Sequence, residues 1–233
     1  MGVGLANIRK ASEAQLRFID RTRTDLAEIL SADLKQVVTA DTVNAKLVDW
    51  IELMNRRLPD DVWKIEKSRE FLASPFRAQY RPGLDIIERN FRDGTSNRAH
   101  QSKTTEIADY NDLLFNDWAV HHFHLSDEYD GDFCKRTGPI LFAYFYGDTV
   151  FFLDILEHGR RSPNVWADQH LVEVLDNNWP KITEKFHLKG ALDLDRDISA
   201  PERIRLRNAG IAANRKKPSA KNEGPRCDLG HIA

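Results

Sequence analysis

Three histidines within four residues, in the run His121-His122-Phe123-His124, are the side chains best suited to chemistry. Because side chains on a strand alternate between its two faces, His122 and His124 share one face, about 7 Å apart. Imidazole exchanges protons near neutral pH, so one of this pair could act as a general base and the other as a general acid. The spacing predicts a two-histidine acid–base site, with solvated surface histidines as the alternative.

A second hypothesis keeps the catalysis but uses a metal ion bound by His122, His124 and His158. Nitrogen and oxygen ligands suit zinc or manganese, and the acidic segment Ser126–Asp132 follows the histidines. Structural zinc normally takes four protein ligands, and no third ligand stands at a dependable local spacing. We therefore predict a site that works without a metal or any other cofactor.

Four cations flank the same region, since Lys135 and Arg136 precede one hydrophobic run and Arg160 and Arg161 follow the next. In an antiparallel hairpin the start of one strand lies beside the end of the other, so the two pairs should come close. Arginine binds phosphate through two hydrogen bonds and stabilises the added charge of a phosphoryl transition state. These cations predict a phosphate site beside the histidines.

The segments that must position these residues have the pattern of strands. Ala119–Leu125 alternates in polarity, and Ile140–Tyr146 and Thr149–Leu156 are aromatic and β-branched runs joined by Gly147-Asp148. We predict one antiparallel sheet, covered on one side by a helix over Val165–Asn177.

Apolar residues at helical spacing predict a long helix over Glu13–Val38, a second one ending near Leu58 and a shorter one over Val62–Leu72. Arg92–Thr105 has no apolar side chain larger than alanine and is the best candidate for a linker. The fold class predicted is α+β, with a helical N-terminal half followed by a small antiparallel sheet packed against a helix. The predicted parts are a helical region over residues 1–92, a sheet domain over 106–190 and a basic, partly irregular tail over 191–233.

Composition excludes several classes of protein. The 34 basic and 36 acidic residues give a net charge of −2, which argues against a non-specific nucleic-acid binder. The longest apolar run, Ile140–Tyr146, falls far short of the roughly 18–20 residues that span a bilayer. Cys134 and Cys227 lack the spacing of a metal knuckle or a redox motif. We predict a cytoplasmic protein with no membrane association.

The stretch HHFHLS, followed by KRTGPILFAYFYGDTVFFLDILEHGRRSPNVW, resembles the second half of RelE/ParE-like toxins, the bacterial ribosome-dependent mRNA interferases. That family has a basic strand, a turn with glycine, a hydrophobic hairpin, a basic pair and a C-terminal helix. Matched residue by residue, the strand lysines of the family fall on His122 and His124, its turn glycine falls on Gly138, and its basic pair falls on Arg160 and Arg161.

This chain departs from the family at two positions within the matched stretch, Ala119–Leu175. The arginine after the turn would fall near Ile140, so only Arg136 could replace it. The family tyrosine falls at Trp166, which can stack on a base but cannot exchange a proton. The resemblance therefore implies that histidine carries out the proton transfers.

The resemblance implies a RelE-like fold and a toxin-like endoribonuclease that cleaves RNA, including ribosome-bound mRNA. It also implies a neutralising antitoxin, for which the N-terminal helices offer a docking surface. A non-catalytic binding or regulatory protein and a metal-dependent nuclease or phosphoesterase are the alternatives, and the oligomeric state stays open. The predicted catalytic residues are His122, His124, Arg136 and Arg161, and the predicted substrate-binding residues are Arg160, His158, Lys135 and Trp166.

Overall fold

The computed structural model of the chain describes residues 13–107, 110, 112–159, 162, 164–186 and 198–209. The helices are α1 (Glu13–Leu34), α2 (Val43–Arg56), α3 (Arg69–Ala73), α4 (Phe76–Gln79), α5 (Arg81–Asp93), α6 (Leu113–Trp118), α7 (His170–Asn178), α8 (Pro180–Thr183) and α9 (Ala200–Asn208). The strands are β1 (Lys64–Lys67), β2 (Val120–His124), β3 (Tyr129–Asp130), β4 (Phe133–Cys134), β5 (Pro139–Tyr146) and β6 (Thr149–Glu157). None of the helices in these described segments has the length and apolar character needed to cross a membrane.

The first two helices, both predicted from the sequence, pack against each other as an antiparallel hairpin. Its core consists of buried apolar residues from both helices, namely Ala27, Leu30, Leu34, Val43 and Leu53. Trp50 adds a polar link, because its Nε1–H donates to Asp33 Oδ2 at 2.7 Å. The first helix ends before the predicted Val38, since the backbone at Lys35 turns left-handed with φ of 53°.

A four-stranded sheet follows, in the order β1-β6-β5-β2. β2, β5 and β6 are antiparallel, and Gly147-Asp148 form the two-residue turn between β5 and β6, so this part of the prediction is confirmed. His122 lies opposite Phe142, and Phe142 lies opposite Asp154. These three residues form a row across one face of the sheet.

The predicted helix over Val62–Leu72 is wrong for its first half. Lys64–Lys67 instead form β1, which pairs with β6 in parallel, so the sheet is mixed and not purely antiparallel. Only then does α3 begin, and the Ser68 hydroxyl oxygen caps it by accepting from the Phe71 N–H at 2.8 Å. The segment is too short to show a reliable period, and the edge of β6 supplies it with a ladder of backbone hydrogen bonds.

Helices cover both faces of the sheet. The predicted cover over Val165–Asn177 lies on the face that carries His122, but it is not one helix, because the helical turn Val165–Ala167 ends before α7 begins at His170. That side of the core includes Val120, Ile140, Phe142, Leu153, Leu171 and Val174. On the opposite side α5 packs on Phe123, Leu141 and Phe152. Gly83 allows this approach, because a Cβ there would lie 2.1 Å from the Leu125 carbonyl oxygen.

The segment Arg92–Thr105, predicted to be a linker, is folded. It contains two short helical turns, Arg98–His100 and Lys103–Glu106. Asn97 is buried and donates through Nδ2 to the Ile87 carbonyl oxygen at 3.1 Å. Hydrogen-bonded polar side chains hold this segment, so its lack of large apolar residues was a misleading signal.

Candidate functional site

β2 is an edge strand and carries the histidine pair that the sequence predicts. His122 and His124 lie on the face covered by α7. His121 lies on the other face, with its ring centroid 4.8 Å from that of Phe115 and 5.0 Å from that of Phe145. The strand alternation inferred from the sequence is therefore confirmed.

Two further predicted site residues join this pair. The ring centroids of His124 and His158 are 5.4 Å apart, those of His158 and Trp166 are 5.7 Å apart, and those of His122 and Trp166 are 5.0 Å apart. His158 reaches this position because the end of β6 pairs with the start of β5. We call His122, His124, His158 and Trp166 the histidine cluster.

Backbone groups fix the tautomers of two imidazoles in the histidine cluster. Nδ1 of His158 lies 2.5 Å from the Gly138 carbonyl oxygen, which can only accept, so Nδ1 carries the proton and Nε2 of the neutral ring is an acceptor. Nδ1 of His124 accepts from the Thr137 N–H at 3.3 Å, so in that neutral ring Nε2 carries the proton. The two rings thus offer complementary nitrogens, one acceptor and one donor.

Burial lowers the pKa of both histidines on this face of β2. His124 is only 2% exposed, and burial, together with the neighbouring His122, His158 and Arg136, lowers its pKa to about 3. The pKa of His122 is also lowered, chiefly by burial, while the Asp112 carboxylate acts in the opposite direction. His158 and Arg136 also lower it, so Asp112 is the neighbour that favours protonation of His122 against a net downward shift.

The predicted cations fall into three groups. Arg136 is exposed and lies close enough to the histidine cluster to lower the pKa of His122 and His124. Lys135 instead pairs with Glu128, with 2.5 Å between Nζ and Oε2. Arg160 and Arg161 lie outside the described residues, so their approach to Arg136 stays a prediction.

A residue of the C-terminal region holds Trp166 in place. Arg207 of α9 donates from Nη1 to the Trp166 carbonyl oxygen at 2.6 Å and from Nε to Asp117 Oδ2 at 2.5 Å. Its guanidinium also stacks on Trp118, 5.0 Å from the ring centroid. Arg203 and Arg207 are both buried, so this part of the basic tail predicted over residues 191–233 packs into the fold as a helix.

Sequence reasoning missed the pair that His170 forms with Asp154 on this face of the sheet. His170 Nε2 donates to Asp154 Oδ2 at 2.8 Å, and this hydrogen bond raises the pKa of His170. Asp154 is buried and stands alone as an acid within the apolar run of β6. That isolated carboxylate was the available signal, because a buried charge requires a partner.

His100 was also missed, since it lies in the presumed linker. It is fully buried, and Nδ1 donates to the His124 carbonyl oxygen at 2.9 Å. Its Nε2 accepts from the Tyr129 hydroxyl at 3.2 Å, and burial lowers its pKa. Both ring nitrogens are used, so His100 braces the end of β2 and has no nitrogen left for a substrate.

The donors that the structure describes do not assemble into a metal site. Within the described segments, no group of three or more His, Cys, Asp or Glu side chains is placed to hold a metal ion. The hypothesis that His122, His124 and His158 bind a metal therefore gains no support from their arrangement.

Comparison with protein-family models, with curated proteins and with solved structures finds no match for this chain. The likeness to RelE/ParE-like toxins therefore stays an interpretation of the sequence.

Proposed function

We propose that this protein is an endoribonuclease that cleaves RNA by histidine acid–base catalysis on the sheet face around β2. The supporting observation is the pair His124 and His158, whose rings lie 5.4 Å apart with complementary tautomers. A ring nitrogen that can accept a proton, beside an N–H that can donate a hydrogen bond, can deprotonate a ribose hydroxyl and bind the phosphoryl oxygen next to it.

In this mechanism Nε2 of His158 takes the proton from a ribose 2′-hydroxyl. The 2′-oxygen then attacks the adjacent phosphorus, and the bond from phosphorus to the 5′-oxygen breaks. The products are a 2′,3′-cyclic phosphate and a 5′-hydroxyl. The Nε2–H of His124 donates a hydrogen bond to a phosphoryl oxygen, and Arg136 stabilises the charge that develops there.

His122 is the group that returns a proton to the leaving 5′-oxygen. Burial, His158 and Arg136 lower its pKa, but Asp112 favours its charged form, and a bound phosphate adds further negative charge beside it. His124 is less suited to this role, since it is almost fully buried and its pKa is lowered to about 3. The sequence predicts that His122 and His124 act as the acid–base pair. In this mechanism three histidines share the work, with His158 as the base, His122 as the acid and His124 as a hydrogen-bond donor.

Trp166 provides the surface for substrate recognition. Its ring is half-buried beside His122 and His158, and aromatic side chains bind single-stranded bases by stacking, which contributes about 1–3 kcal/mol per base. Such a site favours unpaired RNA, of which ribosome-bound mRNA is one form. If the chain acts as a RelE/ParE-like toxin, an antitoxin partner and growth arrest on expression follow as further expectations.

Incubation of the purified chain with a labelled RNA and with DNA of the same sequence tests the proposal. We expect the RNA alone to be cut and its product to carry a 2′,3′-cyclic phosphate, because DNA lacks the attacking hydroxyl. Equal cleavage of both would contradict this mechanism. Binding of RNA without cleavage would favour the non-catalytic alternative.

The two neighbouring cations provide a matched comparison. Arg136→Ala should slow the chemical step, since Arg136 lies beside the histidine cluster. Lys135→Ala should leave that step unchanged and weaken only binding, because Lys135 is paired with Glu128. A loss of the chemical step in both variants would contradict the placement of the phosphate.

A further inference from the structure

The first turns of α1 are unusually exposed for a helix that carries apolar residues. The described side chains of residues 17–22 are all exposed, although the helix continues into the core of the hairpin with α2. Phe18 is 71% exposed and Ile29 is 53% exposed. Eleven residues make close to three turns, so Phe18 and Ile29 lie on the same face of α1.

Charges on the face of α1 that carries Phe18 and Ile29 are separated by sign, while the exposed Asp20 lies on another face. Arg21 lies toward its N-terminal end, and Asp25 and Glu28 lie toward the core of the hairpin. All three side chains are exposed, and they form no ion pair within the described part of the chain. The exposed face therefore has a basic half and an acidic half, each next to one large apolar residue.

We propose that α1 pairs with α1 of a second copy of this chain in an antiparallel, two-fold symmetric contact. With the two-fold axis between Arg23 and Thr24, Phe18 of one copy lies level with Ile29 of the other. Arg21 then lies within reach of Asp25 and Glu28 of the second copy. Every contact occurs twice, as a two-fold interface requires.

The charge pattern selects both the partner and its orientation. A parallel pairing would place Arg21 against Arg21 and the acidic halves against each other, which is unfavourable. An antiparallel copy matches basic to acidic and apolar to apolar with a single segment of sequence. This inference is independent of the proposed ribonuclease activity, because it uses no residue of the histidine cluster.

Sedimentation velocity of the full chain over a range of concentrations tests the pairing. We expect a monomer–dimer equilibrium in the parent. Arg21→Glu alone, and Asp25→Arg with Glu28→Arg, should each raise the dissociation constant at least about tenfold, since each places like charges together. The chain that carries all three substitutions should dimerise again, because complementarity is restored.

The apolar contact has its own test with a matched control. Phe18→Asp should weaken the dimer, whereas Val48→Asp, at a 57% exposed position of α2, should not. Circular dichroism that matches the parent shows that the variants remain folded. A parent chain that stays monomeric, or a dimer equally weakened by Val48→Asp, would overturn the proposal.

Cross-linking determines the orientation. In a Cys227→Ser background, Phe18→Cys and Ile29→Cys chains should form a disulfide-linked dimer when they are mixed, and neither should do so alone. Linkage of the Phe18→Cys chain to itself would indicate a parallel pairing and overturn the antiparallel one.

Discussion

Two regions of one sheet face shift the pKa values of their histidines in opposite directions. At the edge strand β2, burial beside other imidazoles and Arg136 lowers the pKa of His124 to about 3. In the other region, the hydrogen bond from His170 of α7 to Asp154 of β6 raises the pKa of His170. Phe142 lies between Asp154 and His122 in the sheet. The comparison teaches that burial without a carboxylate partner lowers the pKa of a histidine on this face, whereas a hydrogen bond to a carboxylate raises it.

The largest expected effect separates the two regions by activity. His158→Ala should lower the rate of RNA cleavage by about 10²–10⁴-fold, because it removes the proposed general base. His170→Gln should leave the rate unchanged, since His170 lies outside the histidine cluster and glutamine can still donate to Asp154. Single-turnover assays measure the cleavage rate of both variants. An equal loss of rate in both would contradict the assignment of catalysis to the histidine cluster.

The second prediction concerns stability in acid. The pKa of His124 is about 3 in the folded chain and ordinarily 6.5, so between these pH values the unfolded chain binds the proton more readily. Stability should therefore fall as the pH drops through this window, by about 1.4 kcal/mol per pH unit for each such histidine.

His124→Asn is the test of that slope. Urea denaturation at a series of pH values should show a shallower fall for the variant than for the parent. The stability of the variant should still fall somewhat over this range, because burial also lowers the pKa of His121 to about 3. An unchanged slope would mean that His124 is already charged in the folded chain.

The third prediction concerns the support of Trp166 by the C-terminal helix. Arg207→Ala should lower the free energy of unfolding by about 1–3 kcal/mol, because it leaves the Trp166 carbonyl and Asp117 without their donor. Arg205→Ala, at an exposed position of the same helix, should change it by less than about 0.5 kcal/mol. Urea denaturation compares the two, and similar values would argue against a specific role for Arg207.

The smallest expected effect is a loss of stability as the pH rises above 6.5. Because the folded pKa of His170 is raised, its contribution to stability is complete below the ordinary value of 6.5 and is lost as the pH rises through the raised pKa. Partial exposure of His170 screens the pair and keeps this effect small. Thermal unfolding midpoints should decline over this range in the parent and less in His170→Gln, and identical declines would contradict the prediction.

Local sequence patterns predicted the helices and strands whose apolar pattern repeats several times, and the hairpin whose turn contains glycine. Both helices of the N-terminal hairpin, the three antiparallel strands and the turn at Gly147-Asp148 could be read in this way. β1 could not be predicted in this way, because four residues are too few to show an alternating pattern. Its partner β6 also lies far along the chain. The folded segment Arg92–Thr105 was missed for a related reason, since side-chain hydrogen bonds such as that of Asn97 leave no periodic signal.

The same division holds in the candidate site. Strand alternation places His122 and His124 on one face whatever surrounds them, because it follows from backbone geometry. The roles of His158, His170 and Arg207 depend on partners brought from distant parts of the chain, namely Gly138, Asp154 and Trp166. A sequence lists such residues but does not say which of them meet.

By itself the sequence determined where the strands alternate, where the first helices form and which residues could exchange protons, since these follow from local covalent geometry and side-chain chemistry. Tertiary structure alone decided the tautomers of His124 and His158, the lowered and raised pKa values, and the burial of Arg207. Hydrogen bonding, desolvation and charge depend on distances between groups in space, and folding sets those distances between residues that are remote in sequence.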